Sequence, residues 1–215
     1  IYFEVKVTAA IWVLRYDIAS TDRSRYLDWF HHDHIAEKLA RPGYQWAAHF
    51  EGQAHGSATD VSGYLALFGG NTTAIFLNPS PAQLKTRQDN LTREMIGLRQ
   101  SSRMAILVSE WTSPSTVPSP NKYSQIELLA LDSADGDEAV GAWAVQQLAP
   151  AVVVADDTAS LVKLASVTGA PHHYTIYSSN NLAEQTVFGA AEKLVGNQTN
   201  ISVAASWLGR RIWPI

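Results

Sequence analysis

A proline- and serine-rich stretch, Thr112 to Asn121 (TSPSTVPSPN), does most to limit what this chain can fold into. It carries three prolines and three serines and has no apolar periodicity. Such a segment reads as a linker stiffened by polyproline II character. The same order of elements recurs on either side of it.

Ahead of the linker, residues 10–18 (AIWVLRYDI) alternate. Trp12, Leu14, Tyr16 and Ile18 fall on one face, and Ile11, Val13, Arg15 and Asp17 on the other, as in a strand with two usable faces. Ser20-Thr21-Asp22 offers N-cap chemistry for a helix over 22–40, and Pro42-Gly43 ends it. Strands follow at 44–52 and 63–70. The breaker cluster Asn78-Pro79-Ser80-Pro81 leads into a helix over 81–99, and a strand over 103–111 closes the set. Beyond the linker come a strand over 123–131, a helix over 136–148, a strand over 159–168 (with 151–155 as a competitor), a strand over 172–178, a helix over 181–195 and a strand over 201–208.

Both halves therefore read β-α-β-β-α-β, a repeat of architecture with little identity between its copies. That order defines the split βαβ, ferredoxin-like unit, with both helices on one face of a four-stranded antiparallel sheet. The other sheet face carries large side chains and must be covered. Laying two such sheets face to face achieves this, so the expected fold class is α+β: tandem ferredoxin-like halves at 8–112 and 122–215, joined by a linker at 113–121, forming a dimeric-type α+β barrel. The length of 215 residues suits two such units, and 46% hydrophobic residues can fill their cores. Pairing of two chains into a homodimer is expected on top of this. Residues 1–7 could extend a strand but carry no functional expectation.

Several function classes drop out on composition. A net charge of −4 and the lack of a basic stripe leave nothing to neutralise phosphates, so nucleic acid is not an expected partner. No apolar run approaches 18 residues, so no membrane span is expected. The chain has no cysteine, which excludes disulfides, thiolate metal sites and a cysteine nucleophile and fits a cytoplasmic setting. The Gly69-Gly70 pair lacks the context of a phosphate loop, and no G-x-S-x-G is present.

The run Tyr26 to Ile35 (YLDWFHHDHI) resembles the first-helix signature of EthD-like proteins in the dimeric α+β barrel superfamily. Those proteins carry an aromatic pair on this helix and, about one turn later, a histidine that points to the barrel cavity. The resemblance implies that Trp29 and Phe30 are the pair and His34 the histidine. The proline that often follows closely is here only at Pro42, and the second half lacks the motif. The superfamily holds cofactor-free oxygenases of polycyclic phenols, cyclases, isomerases, dehydratases, haem enzymes and non-catalytic binders, so it does not select a reaction.

On the helix over 22–40, Leu27, Phe30 and His34 share a side. His34 is the first candidate acid/base, because partial burial can move an imidazole across neutrality. His31 and His32 read as solvated. In the strand over 44–52, Tyr44, Trp46, Ala48 and Phe50 are expected to pack on helices, with Gln45, Ala47, His49 and Glu51 lining a cavity. Stacked beside the charged face of the first strand, these would bring Arg15, Asp17, His49 and Glu51 together. His49 is the second candidate base, and Arg15 would hold an oxyanion. Trp29, Phe30, Tyr44 and Trp46 would wall a small apolar or aromatic molecule. No metal or cofactor site is expected from the spacing. Three functions fit: a cofactor-independent lyase, isomerase or cyclase; a haem- or oxygen-dependent barrel oxidoreductase; and a non-catalytic binding or assembly module.

Overall fold

The computed structural model describes residues 9–113, 119–151, 158–180 and 200–214. The expected helix at 181–195, residues 1–7 and nearly all of the competing strand at 151–155 lie outside these residues. Eight strands are described: β1 (Ala10–Ala19), β2 (Tyr44–Gly52), β3 (Val61–Gly70), β4 (Gln100–Ser113), β5 (Gln125–Ser133), β6 (Ser160–Ser166), β7 (His173–Ser179) and β8 (Ile201–Trp213). They close into one barrel in the order β1-β3-β2-β8-β5-β7-β6-β4, every neighbouring pair antiparallel. This is the α+β barrel expected from the repeated element order.

The seams of the barrel explain why two strands outrun their sequence pattern. β4 pairs with β1 through its first part and with β6 from Leu107 to Ser113. β8 pairs with β5 and then continues from Gly209 to Trp213 along β2. Each long strand serves two neighbours from different halves, and this closure leaves no open sheet edge. The interior is filled by side chains such as Val13, Phe50, Leu67, Leu107, Leu128 and Ile176, all at most 2% exposed. Burying each such side chain contributes roughly 1.5–3 kcal/mol. Trp46 also points inward, and its indole lies where a Cβ on Gly69 would stand, so that glycine makes room for the ring.

Helices cover the outside. In the first half α1 (Arg23–Trp29), a π-helical turn (Phe30–His34) and α2 (Ile35–Leu39) follow one another without leaving helical backbone. The turn after α2 uses Gly43 at φ +90°, a conformation that suits glycine. The single helix expected over 81–99 is broken. A short helix, α3 (Ala74–Leu77), comes first. A capping box of Ser80 and Gln83 with Pro81 then starts α4 (Pro81–Lys85), and Asp89 caps a new start at α5 (Asn90–Gly97) by accepting from the Thr92 N–H. In the second half α6 (Asp137–Trp143) runs into another π-helical turn, Ala144–Leu148. No helix of the described residues is long and apolar enough to cross a membrane.

Candidate active site

The outward face of β1 presents Trp12, Leu14, Tyr16 and Ile18 to the first-half helices, where they pack with Tyr26, Trp29 and Phe30. Tyr16 is fully buried there, and its hydroxyl lies 2.8 Å from His49 Nε2. His49 Nδ1 lies 2.8 Å from His31 Nε2. A neutral imidazole donates through one nitrogen and accepts through the other. Tyr16, His49 and His31 thus form a chain in which every proton can be passed along in one sense or the other. The π turn gives α1 the extra residue that lets His31 lean onto His49 while His34 stays against Trp29; such turns are frequent at functional sites.

Burial keeps this chain neutral. It pushes His49 well below the usual imidazole value, assisted by His31 and Arg99. It pushes His31 down to about 4, with His32 adding to the effect and Asp28 opposing it. It holds the Tyr16 hydroxyl well above the usual phenol value, with Tyr26 acting in the same direction.

A second tier holds the chain in place. The Tyr64 ring stacks on both Tyr16 and His49, and its hydroxyl donates to Glu51 Oε1 at 3.0 Å. Arg23 grips the same carboxylate through Nε at 3.0 Å and Nη2 at 2.7 Å. Arg99 spreads its guanidinium 4.8 Å from the Tyr16 ring centre and donates from Nε to Tyr26 Oη at 2.7 Å.

Three polar atoms in this layer are buried without a hydrogen-bond partner among the described residues: Trp12 Nε1, Arg99 Nη2 and His34 Nδ1, the last two beside the histidine chain. The imidazole of His34 packs on Trp29 and Phe30, at 4.6 and 5.6 Å between ring centres. Desolvation, then the charges of Lys38 and Arg99, drive its pKa far down. Lys38 is itself buried, which lowers its amine to about 8. Buried polar groups are ordinarily paired, so two unfilled ones next to a proton chain mark a place for a polar ligand atom. The second half adds a wall: Trp213 at the end of β8 lies opposite His49 in the sheet and stacks over His31 at 6.2 Å.

The structure places His34 beside Trp29 and Phe30, and it reverses the expected faces of β2. Trp46, Ala48 and Phe50 face the barrel interior, while Ala47 joins the helix layer and His49 bonds to Tyr16 and His31 there. The alternation was correct but its two faces were interchanged, because alternation alone does not say which face a closed barrel turns inward. Arg15, Asp17, His49 and Glu51 therefore do not share one cavity. His49 and Glu51 belong to the helix layer, and Asp17 accepts from the backbone N–H groups of His55 and Gly56 at 2.6 and 2.8 Å. Tyr44 packs edge-on against Phe68 and Phe76, away from the histidine chain, and Trp46 is in the barrel. His31, expected in solvent, is half-buried and bonded to His49, whereas His32 is exposed and pairs with Asp28. Arg99 had no local signal: it follows α5 in an ordinary basic sequence, and only the packing of α5 on β1 brings it over Tyr16.

In the second half the corresponding layer holds a different chain. Lys163, 1% exposed, donates to Glu110 Oε2 at 2.6 Å, to His173 Nδ1 at 2.9 Å and to the Leu164 carbonyl at 3.2 Å. His173 Nε2 then reaches Asp137 Oδ1 at 2.8 Å. His172, its neighbour, is exposed.

No family model matches the chain, and no curated protein matches it in sequence. Solved structures do match along nearly its whole length. A variant chlorite dismutase from Candidatus Nitrospira defluvii superposes with a TM-score of 0.57 at 10% identity, covering 97% of this chain and 93% of that one. A haem-binding protein from Thermus thermophilus gives 0.53 at 10% identity, covering 95% and 92%. An anthrone oxidase-like protein gives 0.51 at 12% identity, covering 98% and 94%. These likenesses establish the α+β barrel class.

The haem-binding neighbour raises the question of haem, which would need a free imidazole nitrogen facing a slot wide enough for a macrocycle. The nitrogens that link His31 to His49 and His49 to Tyr16 are engaged, and both ring nitrogens of His173 are taken up by Lys163 and Asp137. The buried ring nitrogen without a partner, His34 Nδ1, lies among tightly packed rings, and the half-buried His31 has Trp213 stacked over it. The described residues do not fit a haem. Nor do any three of their His, Asp and Glu side chains converge on a possible metal position.

Proposed function

We propose that the chain is an oxygen-using oxidoreductase of the α+β barrel type that works without haem on an acidic aromatic molecule, a phenol or a ring-fused enolisable ketone. The observation that carries this reading is the neutral Tyr16–His49–His31 chain lying beside the buried, unpartnered Nη2 of Arg99. The substrate oxygen would accept from Arg99 Nη2, which stabilises the anion formed when a proton leaves the substrate for the histidine chain. Dioxygen then oxidises the anion. For a methylene carbon the balance is CH2 + O2 giving C=O + H2O, with one oxygen atom in the product and one in water. The anthrone oxidase-like neighbour supports this choice over the lyase, isomerase or cyclase class, which would use the same proton abstraction without consuming oxygen.

The same reading keeps His34, Trp29 and Phe30 as an EthD-like helix signature, packed on one another beside the histidine chain. It keeps 8–112 and 122–215 as duplicated units, and a pair of chains as the working assembly, which sedimentation at micromolar concentration tests. The function is tested with an oxygen electrode, using purified protein and a panel of anthrones and naphthols. Oxygen uptake matched one to one by ketone or quinone product, with no Soret band in the absorbance spectrum, is the expected result. Turnover without oxygen consumption, or a stoichiometric Soret band, overturns it.

A further inference from the structure

The mouth of the barrel at the C-terminal end of β1 has its own polar group, separate from the helix layer. Arg15 sits on the inward face of β1, following Ile11 and Val13 of the interior. Directly opposite it on β4 is Arg103, on the same side of the sheet as the interior residues Ala105 and Leu107. Across the mouth, Tyr174 of β7 is buried among the interior side chains.

Like charges directly opposite on neighbouring strands destabilise a sheet, and partial desolvation of a guanidinium costs free energy unless it is paired; Arg15 is partly buried and Arg103 is exposed at the rim. Arg15 shows this cost: desolvation lowers its pKa and Arg103 adds to the effect, with Tyr174 the only group acting the other way. The nearby acids are engaged elsewhere. Asp17 holds the N–H groups of His55 and Gly56, and Asp132 accepts from the His172 N–H at 3.0 Å. These two contacts pin one loop from each half at the same end of the barrel. His55 stacks on Trp207 and bonds to the Tyr64 carbonyl, so it faces Arg15 as a neighbour without offering a negative charge. Among the described residues no carboxylate forms an ion pair with Arg15 or Arg103. Arg103 donates one N–H to the Ser102 carbonyl at 3.1 Å, and the rest of its fork is open.

We propose that Arg15, Arg103 and the Tyr174 hydroxyl form a binding site for a small oxyanion, a carboxylate or phosphoryl group, in the mouth of the barrel and apart from the helix-layer site. An anion between the two guanidiniums accepts bidentate, charge-assisted hydrogen bonds and removes the repulsion between them. The bound group belongs to a ligand small enough to enter beside the pinned loops.

The test is isothermal calorimetry and thermal melting of the full chain with inorganic phosphate and with succinate, against sodium chloride at matched ionic strength. Saturable binding of either probe beyond the chloride control is expected. Phosphate alone would assign a phosphoryl ligand, and succinate alone a carboxylate. Arg15→Gln and Arg103→Gln each weaken that binding by about tenfold or more, as expected for loss of a charge-assisted hydrogen bond. Arg99→Gln leaves it unchanged, which separates this site from the proposed oxidase site. Removing an uncompensated charge also raises the melting temperature of the ligand-free Arg15→Gln protein by about 2–4 °C. No saturable binding by either probe, or equal binding by the Arg15→Gln/Arg103→Gln double variant, overturns the proposal.

Discussion

The two halves of the barrel put a nitrogen base at matching places and use it in opposite ways. Trp29 and Trp143 each stand immediately before a π-helical turn, and Arg23 and Asp137 each open the helix that contains it. Facing those helices, the second strand of one half offers His49 and that of the other offers Lys163. In the second half every amine proton of Lys163 has an acceptor, and hydrogen bonds run from Glu110 through Lys163 and His173 to Asp137. That arrangement ties β4 of one half to β6, β7 and α6 of the other. In the first half the groups are neutral, aromatic and incompletely paired. A satisfied network rigidifies, while an unsatisfied one awaits a ligand. Under the proposed function, chemistry falls to the first half and support to the second, whose own layer also buries Trp143 Nε1 without a hydrogen bond among the described residues.

The largest expected effect comes from His49→Gln, which interrupts the proton chain but keeps a polar side chain between Tyr16 and His31. Removing a positioned base typically costs 10²–10⁴ in rate, so oxygen uptake with the best substrate should fall by roughly that factor. Circular dichroism should show an unchanged fold. Full turnover in this variant would break the assignment of chemistry to the first half. Lys163→Met is the matched experiment in the second half. Breaking a buried ion pair costs about 3–5 kcal/mol, and the lower end applies because the Glu110 side chain is 40% exposed and can turn to water. Urea unfolding should therefore show a loss of about 3 kcal/mol, with uptake per folded molecule unaltered. A loss under about 1 kcal/mol would mean that the second-half chain gives no net support.

Acid separates the halves more gently. His31 and His49 have folded pKa values below that of an unfolded histidine, ~6.5. The unfolded chain then binds more protons, so this contribution to stability is complete above pH ~6.5 and is lost as pH falls toward about 4, the folded value for His31. The melting temperature should drop between pH 7 and pH 5, and less steeply in His49→Gln. Equal slopes in both proteins would show that the histidine chain is not held neutral by burial.

The architecture was legible because strand alternation, the Pro42-Gly43 stop and the repeated element order are local signals that agree with one another. Closure of the barrel was less so: nothing within β4 or β8 announces that each serves two neighbours. The candidate residues were legible as residue types, while the faces they occupy were not. His34 with Phe30 came from a helical pattern and Trp29 from the EthD-like resemblance, and the structure places the three rings in contact. His49 came from a strand pattern that fixes two faces and cannot say which one a barrel encloses. Tyr16 and His31 looked like core and surface because each is ordinary in its own element. Only the crossing of the π turn over β2 makes them partners. Arg99 and Lys163 carry no motif at all, and their meaning lies in contacts between segments far apart in the chain.

The smallest effects come from the first residues of the two covering helices. Arg23 and Asp137 occupy the same helix-opening position, and each binds a group on its own half's sheet: Glu51 in one, His173 in the other. Both are solvent-accessible, with the Arg23 side chain 43% and the Asp137 side chain 84% exposed, so neither ion pair should contribute more than about 1 kcal/mol. Stability alone will not tell Arg23→Gln from Asp137→Asn. Turnover should. Glu51 is held by Arg23 and accepts from Tyr64, which stacks on the histidine chain; loosening it lets the Tyr64 ring shift against His49. Arg23→Gln should then lower kcat several-fold with KM nearly constant, the mark of a residue that positions the chain without touching substrate. Asp137→Asn should leave both constants alone. If the two substitutions change kcat equally, the halves act as one catalytic unit and the division of labour between them fails.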